Sequence, residues 1–182
     1  MRVGNWDIKA PLILGGDESE AEILGATVWL WMHSPLHRDA PLHALPTLLL
    51  PIIKCQQYVL VSENSRPVFF LSWAWLNDAA EARFLTRPSI EMKEEDWTCG
   101  DRMWLCDWIA PFGHTAAMST LIRQDIFPDQ CWRALHHRGA ERGKRVVNFH
   151  GKHVSRNEAH AWQLKHPLAV NLPEALKGTH HE

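Results

Sequence analysis

Asp107 is the first of two residues whose type and position could support proton-transfer chemistry. It lies in the apolar segment Arg102–Ile109, which Gly100 precedes and Pro111 follows, so the pattern predicts a central, buried β-strand. Because side chains alternate across a strand, we expect one face to carry Met103, Leu105, Asp107 and Ile109, and the other Trp104, Cys106 and Trp108. A carboxylate among apolar neighbours is costly unless it is paired. Asp107 is therefore either a structural acid bound to an arginine or an acid that orients a catalytic partner.

His37 is the second such residue, in the segment Ser34-Pro-Leu-His-Arg38. Proline favours the first position of a helix and serine the position before it, so we expect Ser34 to cap a new turn that contains His37. An imidazole titrates near neutrality, and a buried aspartate beside it can fix its tautomer and stabilise the imidazolium. Two alternatives stay open. His37 is a partly exposed loop residue, or Ser34 and His37 form a nucleophile pair, although no GxSxG motif supports such a pair.

Other kinds of active site lack their sequence signatures. The twelve histidines include no HExxH motif and no histidine pair set beside a cysteine pair, so no metal is expected. Neither GxGxxG nor a GxxxxGKS or GxxxxGKT loop occurs, so no bound cofactor is expected. The four cysteines form no CxxC pair, and we expect them to be reduced thiols of a cytoplasmic protein.

The composition is that of one globular domain spanning residues 1–182, with 46% hydrophobic and 22% charged residues. A net charge of −2 gives no basis for binding nucleic acid through bulk charge. No apolar run is long enough to span a membrane, and the N-terminus has no signal-peptide pattern. We expect residues 1–17 to be a loose N-terminal arm and residues 168–182 to be a frayed tail.

The hydrophobic pattern predicts a mixed α/β (α+β) fold around a sheet of five to six strands. Besides Arg102–Ile109, we expect strands at Tyr58–Ser62, Pro67–Trp75, Trp132–His136 and Lys144–Phe149. Helices are expected from Asp17 or Ser19 to about Met32, and over Ala79–Phe84, His114–Ile126 and Arg156–Lys165. This order places Asp107 in the middle of the sheet and His37 after the first long helix.

Several short motifs, in one order along the chain, resemble a known family. They are Trp29-Leu-Trp-Met-His-Ser-Pro-Leu-His-Arg38, Ser72-Trp-Ala74, Asp96-Trp-Thr-Cys-Gly-Asp-Arg102, Asp107-Trp-Ile-Ala-Pro-Phe-Gly113 and Phe149-His-Gly-Lys152. Over about residues 23–165 the chain is similar to the toxin-activating lysine acyltransferases, which are encoded beside RTX pore-forming toxins. These enzymes move a fatty acyl chain from acyl carrier protein onto internal lysines of the protoxin.

The resemblance implies a fold like the GNAT acetyltransferases and a cytoplasmic enzyme whose partners are an RTX protoxin and acyl carrier protein. It also implies that His37 and Asp107 are the catalytic residues, and a homodimer is expected because such proteins have been seen as dimers. The chain departs from the family at Ala40, where tryptophan is common, in its longer N-terminal arm, around residues 136–145 and in the C-terminal tail. The alternative function is a catalytically inactive homologue that binds the toxin or acyl carrier protein as a chaperone. The presence of both His37 and Asp107 argues against it.

The substrate sites follow as further expectations. Trp73, Trp104 and Trp108 are candidate walls for the acyl chain, with plain core packing as the alternative. The segment Ala110-Pro-Phe-Gly-His-Thr-Ala-Ala117 has one glycine where coenzyme A-dependent GNAT enzymes carry a glycine-rich pyrophosphate loop. We therefore expect acyl carrier protein rather than acyl-coenzyme A to be the donor. The basic candidates for binding that acidic carrier, which could equally form a solvated surface, are Arg123, Arg133, Arg138, Arg142, Lys144 and Arg145.

Overall fold

A mixed β-sheet organises the computed structural model, which describes residues 1–136 and 145–171. Within those residues the sheet has seven strands that neighbour each other in chain order. They are β1 (Arg2–Val3), β2 (Trp6–Lys9), β3 (Tyr58–Glu63), β4 (Arg66–Leu76), β5 (Arg102–Ile109), β6 (Cys131–Leu135) and β7 (Val146–His150). Neighbouring strands are antiparallel except β5 and β6, which are parallel. The predicted α/β class is confirmed.

Helices and short helical turns connect the strands and cover the sheet. The α-helices are α1 (Pro11–Leu14), α2 (Glu20–Met32), α3 (Leu45–Leu48), α4 (Leu50–Lys54), α5 (Asp78–Thr86), α6 (Thr115–Leu121) and α7 (Arg156–Lys165). Single turns lie at Leu42–Ala44, Ser89–Glu91 and Glu94–Trp97, and α6 continues as a π-helical turn, Ile122–Ile126. Helix α2 begins after Ser19, whose hydroxyl accepts a hydrogen bond from the Glu22 amide. Helix α7 begins at a capping box formed by Ser155 and Glu158.

Two hydrophobic clusters cover opposite faces of the sheet. On one face, residues of α2 and α4 such as Leu30 and Ile52 pack against Tyr58, Phe70 and Trp104. On the other, Met118 of α6 and the π-helical turn pack against Phe69, Trp73 and Met103. The central strands are apolar on both faces because both faces are covered.

The five strands predicted from the sequence are all present, and the N-terminal arm adds two more. The prediction of a loose arm is wrong, because β2 pairs with β3 and Ile8 and Ala10 are each only 1% exposed. The alternating pattern of Trp6-Asp-Ile-Lys9 is a four-residue strand signal that the surrounding glycines obscured. In the predicted tail, Leu168 packs against the core, and residues 172–182 lie outside the described part of the chain.

Membrane-spanning potential is absent from the described helices, none of which combines the length and the apolar character that a bilayer crossing requires.

A buried ion cluster ties the sheet to the C-terminal segment. The carboxylate of Glu81, on α5, is fully buried and accepts hydrogen bonds from Arg102 on β5 (2.5 Å), Arg133 on β6 (3.0 Å) and the indole of Trp104 (2.8 Å). It also accepts from the backbone amide of Ala169 (2.8 Å). Arg133 is only 3% exposed, so the prediction that it contacts an acidic carrier protein is wrong. Its charge is needed inside the fold.

We predict that Glu81→Ala lowers the free energy of unfolding by about 3–5 kcal/mol, because two buried guanidinium groups lose their shared carboxylate. Urea denaturation followed by circular dichroism measures this loss. Glu91→Ala is the matched control, since Glu91 forms an exposed ion pair with Arg87 at 3.5 Å, and such pairs contribute about 0.3–0.5 kcal/mol. Equal effects of the two substitutions would contradict the role given to Glu81.

Candidate active site

A β-bulge in β5 decides where Asp107 points. Ser72 of β4 pairs with Asp107, but the next residue, Trp73, pairs with Leu105, so Cys106 is an extra residue in β5. Beyond the bulge the alternation is reversed. Ile109 belongs to the cluster beneath α2, whereas Met103 and Leu105 belong to the cluster beneath α6. The bulge directs Asp107 toward the α2 side, which it shares with Ile109 but not with Met103 and Leu105, so the prediction that these four residues share one face is wrong. Trp108 packs on the α6 side, so it does not share a face with Trp104 as predicted.

A tight turn after α2 presents His37. The amides of His37 and Arg38 both donate to the Ser34 carbonyl oxygen at 3.0 Å, so the expected turn that contains His37 is present. The expected role of the Ser34 side chain as its cap is wrong. The Ser34 hydroxyl lies 2.8 Å from His37 Nδ1 instead of binding a backbone amide. The Trp31 ring packs against the imidazole, with 5.0 Å between ring centroids, and limits its orientation.

His37 and Asp107, predicted as partners from positions far apart in the sequence, lie side by side. His37 Nε2 is 3.5 Å from Asp107 Oδ1, and their side chains are 19% and 14% exposed. The other carboxylate oxygen, Oδ2, accepts a hydrogen bond from the Ser72 hydroxyl at 2.5 Å. Ser34, His37, Asp107 and Ser72 thus form one continuous chain of polar contacts from the end of α2 to β4.

A cavity of about 240 Å³ opens beside this chain. It exists because β5 and β6 pair only at Trp104–Arg133 and Leu105–Ala134, next to the bulge. His37, Asp107 and Leu36 line it together with Arg123 and a mainly apolar set of side chains. That set includes Leu105, Trp108, Ile122, Trp132, Leu135 and Phe149. A proton-transfer pair at an apolar cavity suits a reaction on a substrate with a long hydrocarbon part.

Comparison with known proteins shows the family to which the chain belongs. Residues 17–150 match the profile of the RTX toxin acyltransferase family. The chain belongs to that family. RTX toxin acyltransferases similar to it include the RTX-I toxin-activating lysine-acyltransferase ApxIC of Actinobacillus pleuropneumoniae, 41% identical over 138 residues, 76% of this chain and 79% of that protein.

Two further relatives carry names that state a transferred group. The protein-lysine myristoyltransferase HlyC of Escherichia coli is 40% identical over 138 residues, 76% of this chain and 80% of that protein. The protein-lysine palmitoyltransferase CyaC of Bordetella bronchiseptica is 36% identical over 156 residues, 84% of this chain and 82% of that protein. This member of the RTX toxin acyltransferase family is an acyltransferase, and the site described above lies within its matched region.

Of the three tryptophans predicted as walls of an acyl site, one lies at the cavity and two pack elsewhere. Trp108 lines the cavity. Trp104 is buried beneath α5 with its indole bound to Glu81, and Trp73 packs edge-on against Phe127, 5.0 Å between centroids. Sequence reasoning missed Trp132 and Phe149, which line the cavity from the two strands beyond the split. It also missed the role of Ser72, although the motif Ser72-Trp-Ala74 was one of those that indicated the family.

Cys106 lies at the bulge and lines the same cavity, so its thiol is an obvious candidate nucleophile. Burial, with a smaller effect from the Asp107 carboxylate, raises the pKa of Cys106 well above its usual value. Because the thiolate is the reactive form, the raised pKa keeps this cysteine unreactive at neutral pH. The candidate groups of the site are therefore His37 and Asp107, which line the cavity, and Ser34, whose hydroxyl contacts His37 Nδ1.

Proposed function

We propose that this acyltransferase moves a fatty acyl chain from acyl carrier protein to the ε-amine of internal lysines of an RTX protoxin, and thereby activates the toxin. His37 acts as the general base, and Asp107 orients and stabilises it. The observation that carries this proposal is the placement of the His37 ring between Ser34 and Asp107 at the opening of an apolar cavity.

The contacts on the two ring nitrogens assign them different roles. A carboxylate can only accept hydrogen bonds, so Nε2, which faces Asp107, carries the ring proton. Nδ1 is then the basic nitrogen and accepts from the Ser34 hydroxyl. The 3.5 Å separation of Nε2 and Oδ1 is longer than an ordinary hydrogen bond. Such contacts commonly tighten when the substrate is bound.

The reaction then needs a base that accepts a proton from the lysine and an acid that donates a proton to the leaving thiolate. A lysine ε-amine arrives protonated, since its ordinary pKa is about 10.4. It must lose one proton to solvent before the nitrogen attacks the thioester carbonyl, and a second proton as the carbon–nitrogen bond forms. The Ser34 hydroxyl passes this second proton to Nδ1, and the resulting imidazolium is stabilised by Asp107. As the carbon–sulfur bond breaks, the imidazolium returns the proton to the departing thiolate. The lysine is left as an amide and the carrier as a free thiol.

The cavity supports a fatty acyl group as the transferred unit. Its walls of leucine, isoleucine, phenylalanine and tryptophan side chains would take a hydrocarbon chain out of water, and each buried methylene contributes about 0.8 kcal/mol. The relatives named as myristoyl- and palmitoyltransferases suggest a long saturated chain.

Acyl carrier protein as the donor is supported by the segment after β5. Phe112 in this segment lies under the guanidinium of Arg66, 4.1 Å from the ring centroid, and Pro111 has no amide hydrogen. Helix α6 has only seven residues. These features are unfavourable for an amide cradle that holds the pyrophosphate of coenzyme A. Among the basic residues expected to bind the carrier, Arg123 lines the cavity, and Arg138, Arg142 and Lys144 lie outside the described residues.

The remaining expectations stay predictions. They are the homodimer, the cytoplasmic location, the absence of a bound metal or cofactor and the detailed likeness to GNAT enzymes.

The role of His37 predicts that His37→Ala lowers acyl transfer by about 10²- to 10⁴-fold, because the general base is lost. Asp107→Asn should also lose most activity, since an amide cannot stabilise an imidazolium as a carboxylate does. Mass spectrometry of a protoxin fragment incubated with acyl carrier protein bearing a fatty chain measures lysine acylation. The control is His33→Ala, which removes a neighbouring exposed histidine. Near-normal turnover in folded His37→Ala protein would refute the assignment.

Ser34→Ala distinguishes proton relay from a covalent acyl-serine. If Ser34 only relays a proton, water can replace its hydroxyl, and we expect a loss of about 10-fold, which corresponds to one ordinary hydrogen bond. If Ser34 is the nucleophile, the loss should match that of His37→Ala. Intact-protein mass spectrometry of the enzyme with acyl donor but no acceptor provides the second readout. An acylated wild-type enzyme that is absent in Ser34→Ala would overturn the relay.

The donor prediction is tested by comparing one acyl chain on acyl carrier protein and on coenzyme A. We expect a kcat/KM at least 10-fold higher with the carrier protein, and a difference that shrinks at high salt because exposed charge contacts are screened. Arg123→Gln should reduce the advantage, whereas Arg87→Gln, which lies in an exposed pair with Glu91, should leave it unchanged. Equal kcat/KM values for the two donors would show that the carrier is not recognised.

A further inference from the structure

Ser72 is a fully buried polar residue in the middle of β4, with 0% of its surface exposed. Its hydroxyl has two partners, and both belong to Asp107. It accepts the Asp107 amide hydrogen at 3.1 Å and donates to Asp107 Oδ2 at 2.5 Å. One hydroxyl has one proton to donate, so its donor capacity is used entirely on this carboxylate.

The bulge explains why a hydroxyl is needed at this position. An extra residue in β5 interrupts the ladder with β4, and a buried amide without a partner destabilises the fold. The Ser72 hydroxyl accepts a hydrogen bond from the Asp107 amide at the point where the ladder is interrupted. Because the same oxygen also binds Oδ2, the backbone and the carboxylate of Asp107 are held by one atom, and Oδ1 is left to face His37.

We propose that Ser72 is a positioning residue for acyl transfer: it fixes the orientation of the Asp107 carboxylate toward His37 Nε2, and through it the tautomer of His37. This inference rests on the proposed roles of His37 and Asp107. Ser72 does not touch the cavity, so it acts on the reaction only through Asp107. Without its hydroxyl the carboxylate can rotate about its Cβ–Cγ bond, and the ring proton of His37 is no longer held on Nε2.

Kinetics of a double-mutant cycle test the coupling. Ser72→Ala should lower kcat by about 10- to 100-fold, the usual cost of losing a hydrogen bond to a charged group, with little change in KM. In the Asp107→Asn background the same substitution should cost less than about 3-fold, because residues that act as a unit are not additive. Ser72→Cys, which keeps the size but is a weak donor, should behave like Ser72→Ala and serves if the alanine variant does not fold.

The matched control is Thr27→Val, which removes another fully buried hydroxyl, bound to the Ile23 carbonyl oxygen at 2.8 Å. It should leave kcat unchanged while testing the general effect of losing a buried hydroxyl. Equal losses from Ser72→Ala in the wild-type and Asp107→Asn backgrounds, or a wild-type kcat in Ser72→Ala, would overturn the proposal.

A second readout does not depend on acyl transfer. Nitrogen-15 NMR of the histidine rings reports which nitrogen carries the proton, and the His37 signals are assigned by their loss in His37→Ala. We expect the Nε2–H tautomer in the wild type and a mixture of tautomers in Ser72→Ala. If acyl transfer is absent but the tautomer shifts as expected, the proposed function fails and the role of Ser72 in positioning Asp107 stands. An unchanged tautomer in Ser72→Ala overturns that role.

Discussion

The fold depends on contacts that hold the sheet together where the central strands β5 and β6 stop pairing. Strands β5 and β6 pair at only two positions, and the opening beyond them is the cavity that His37 and Asp107 line. The Glu81 carboxylate lies at the closed end of the split and binds Arg102 and Trp104 on one strand and Arg133 on the other. A buried carboxylate with this many partners links β5 and β6 beside the two positions where they pair. The opening and the ion cluster are therefore two parts of one arrangement.

Short local features of the backbone place the two proton-transfer residues at the opening. A tight turn around the Ser34 carbonyl carries His37, and one extra residue in β5 turns Asp107 toward it. Neither requires a long loop, so the geometry of the pair is set by rigid elements. Packing of Trp31 on the ring and the Ser72 hydrogen bonds on the carboxylate restrain the two side chains from opposite sides.

Much of this arrangement could be predicted from the sequence, for identifiable reasons. Asp107 was detectable because a charge in an apolar strand is exceptional, and His37 because of its turn motif and the family resemblance. The strand predictions succeeded where apolar runs ended in glycine or proline, as at Arg102–Ile109. The bulge could not be predicted, because a single inserted residue changes which face each later side chain occupies without changing the local composition. The burial of Arg133 could not be predicted either, because its partner Glu81 lies 52 residues away in the sequence.

The N-terminal strands have a consequence for association between molecules. Strand β3 would otherwise present a six-residue row of unpaired backbone groups, and such a free edge is a template for pairing with another chain. Strand β2 occupies four positions of that row, and the outermost strand on this side, β1, has only two residues. An edge this short offers an incoming strand too few hydrogen bonds to hold it, which protects the protein from edge-to-edge aggregation at this side of the sheet.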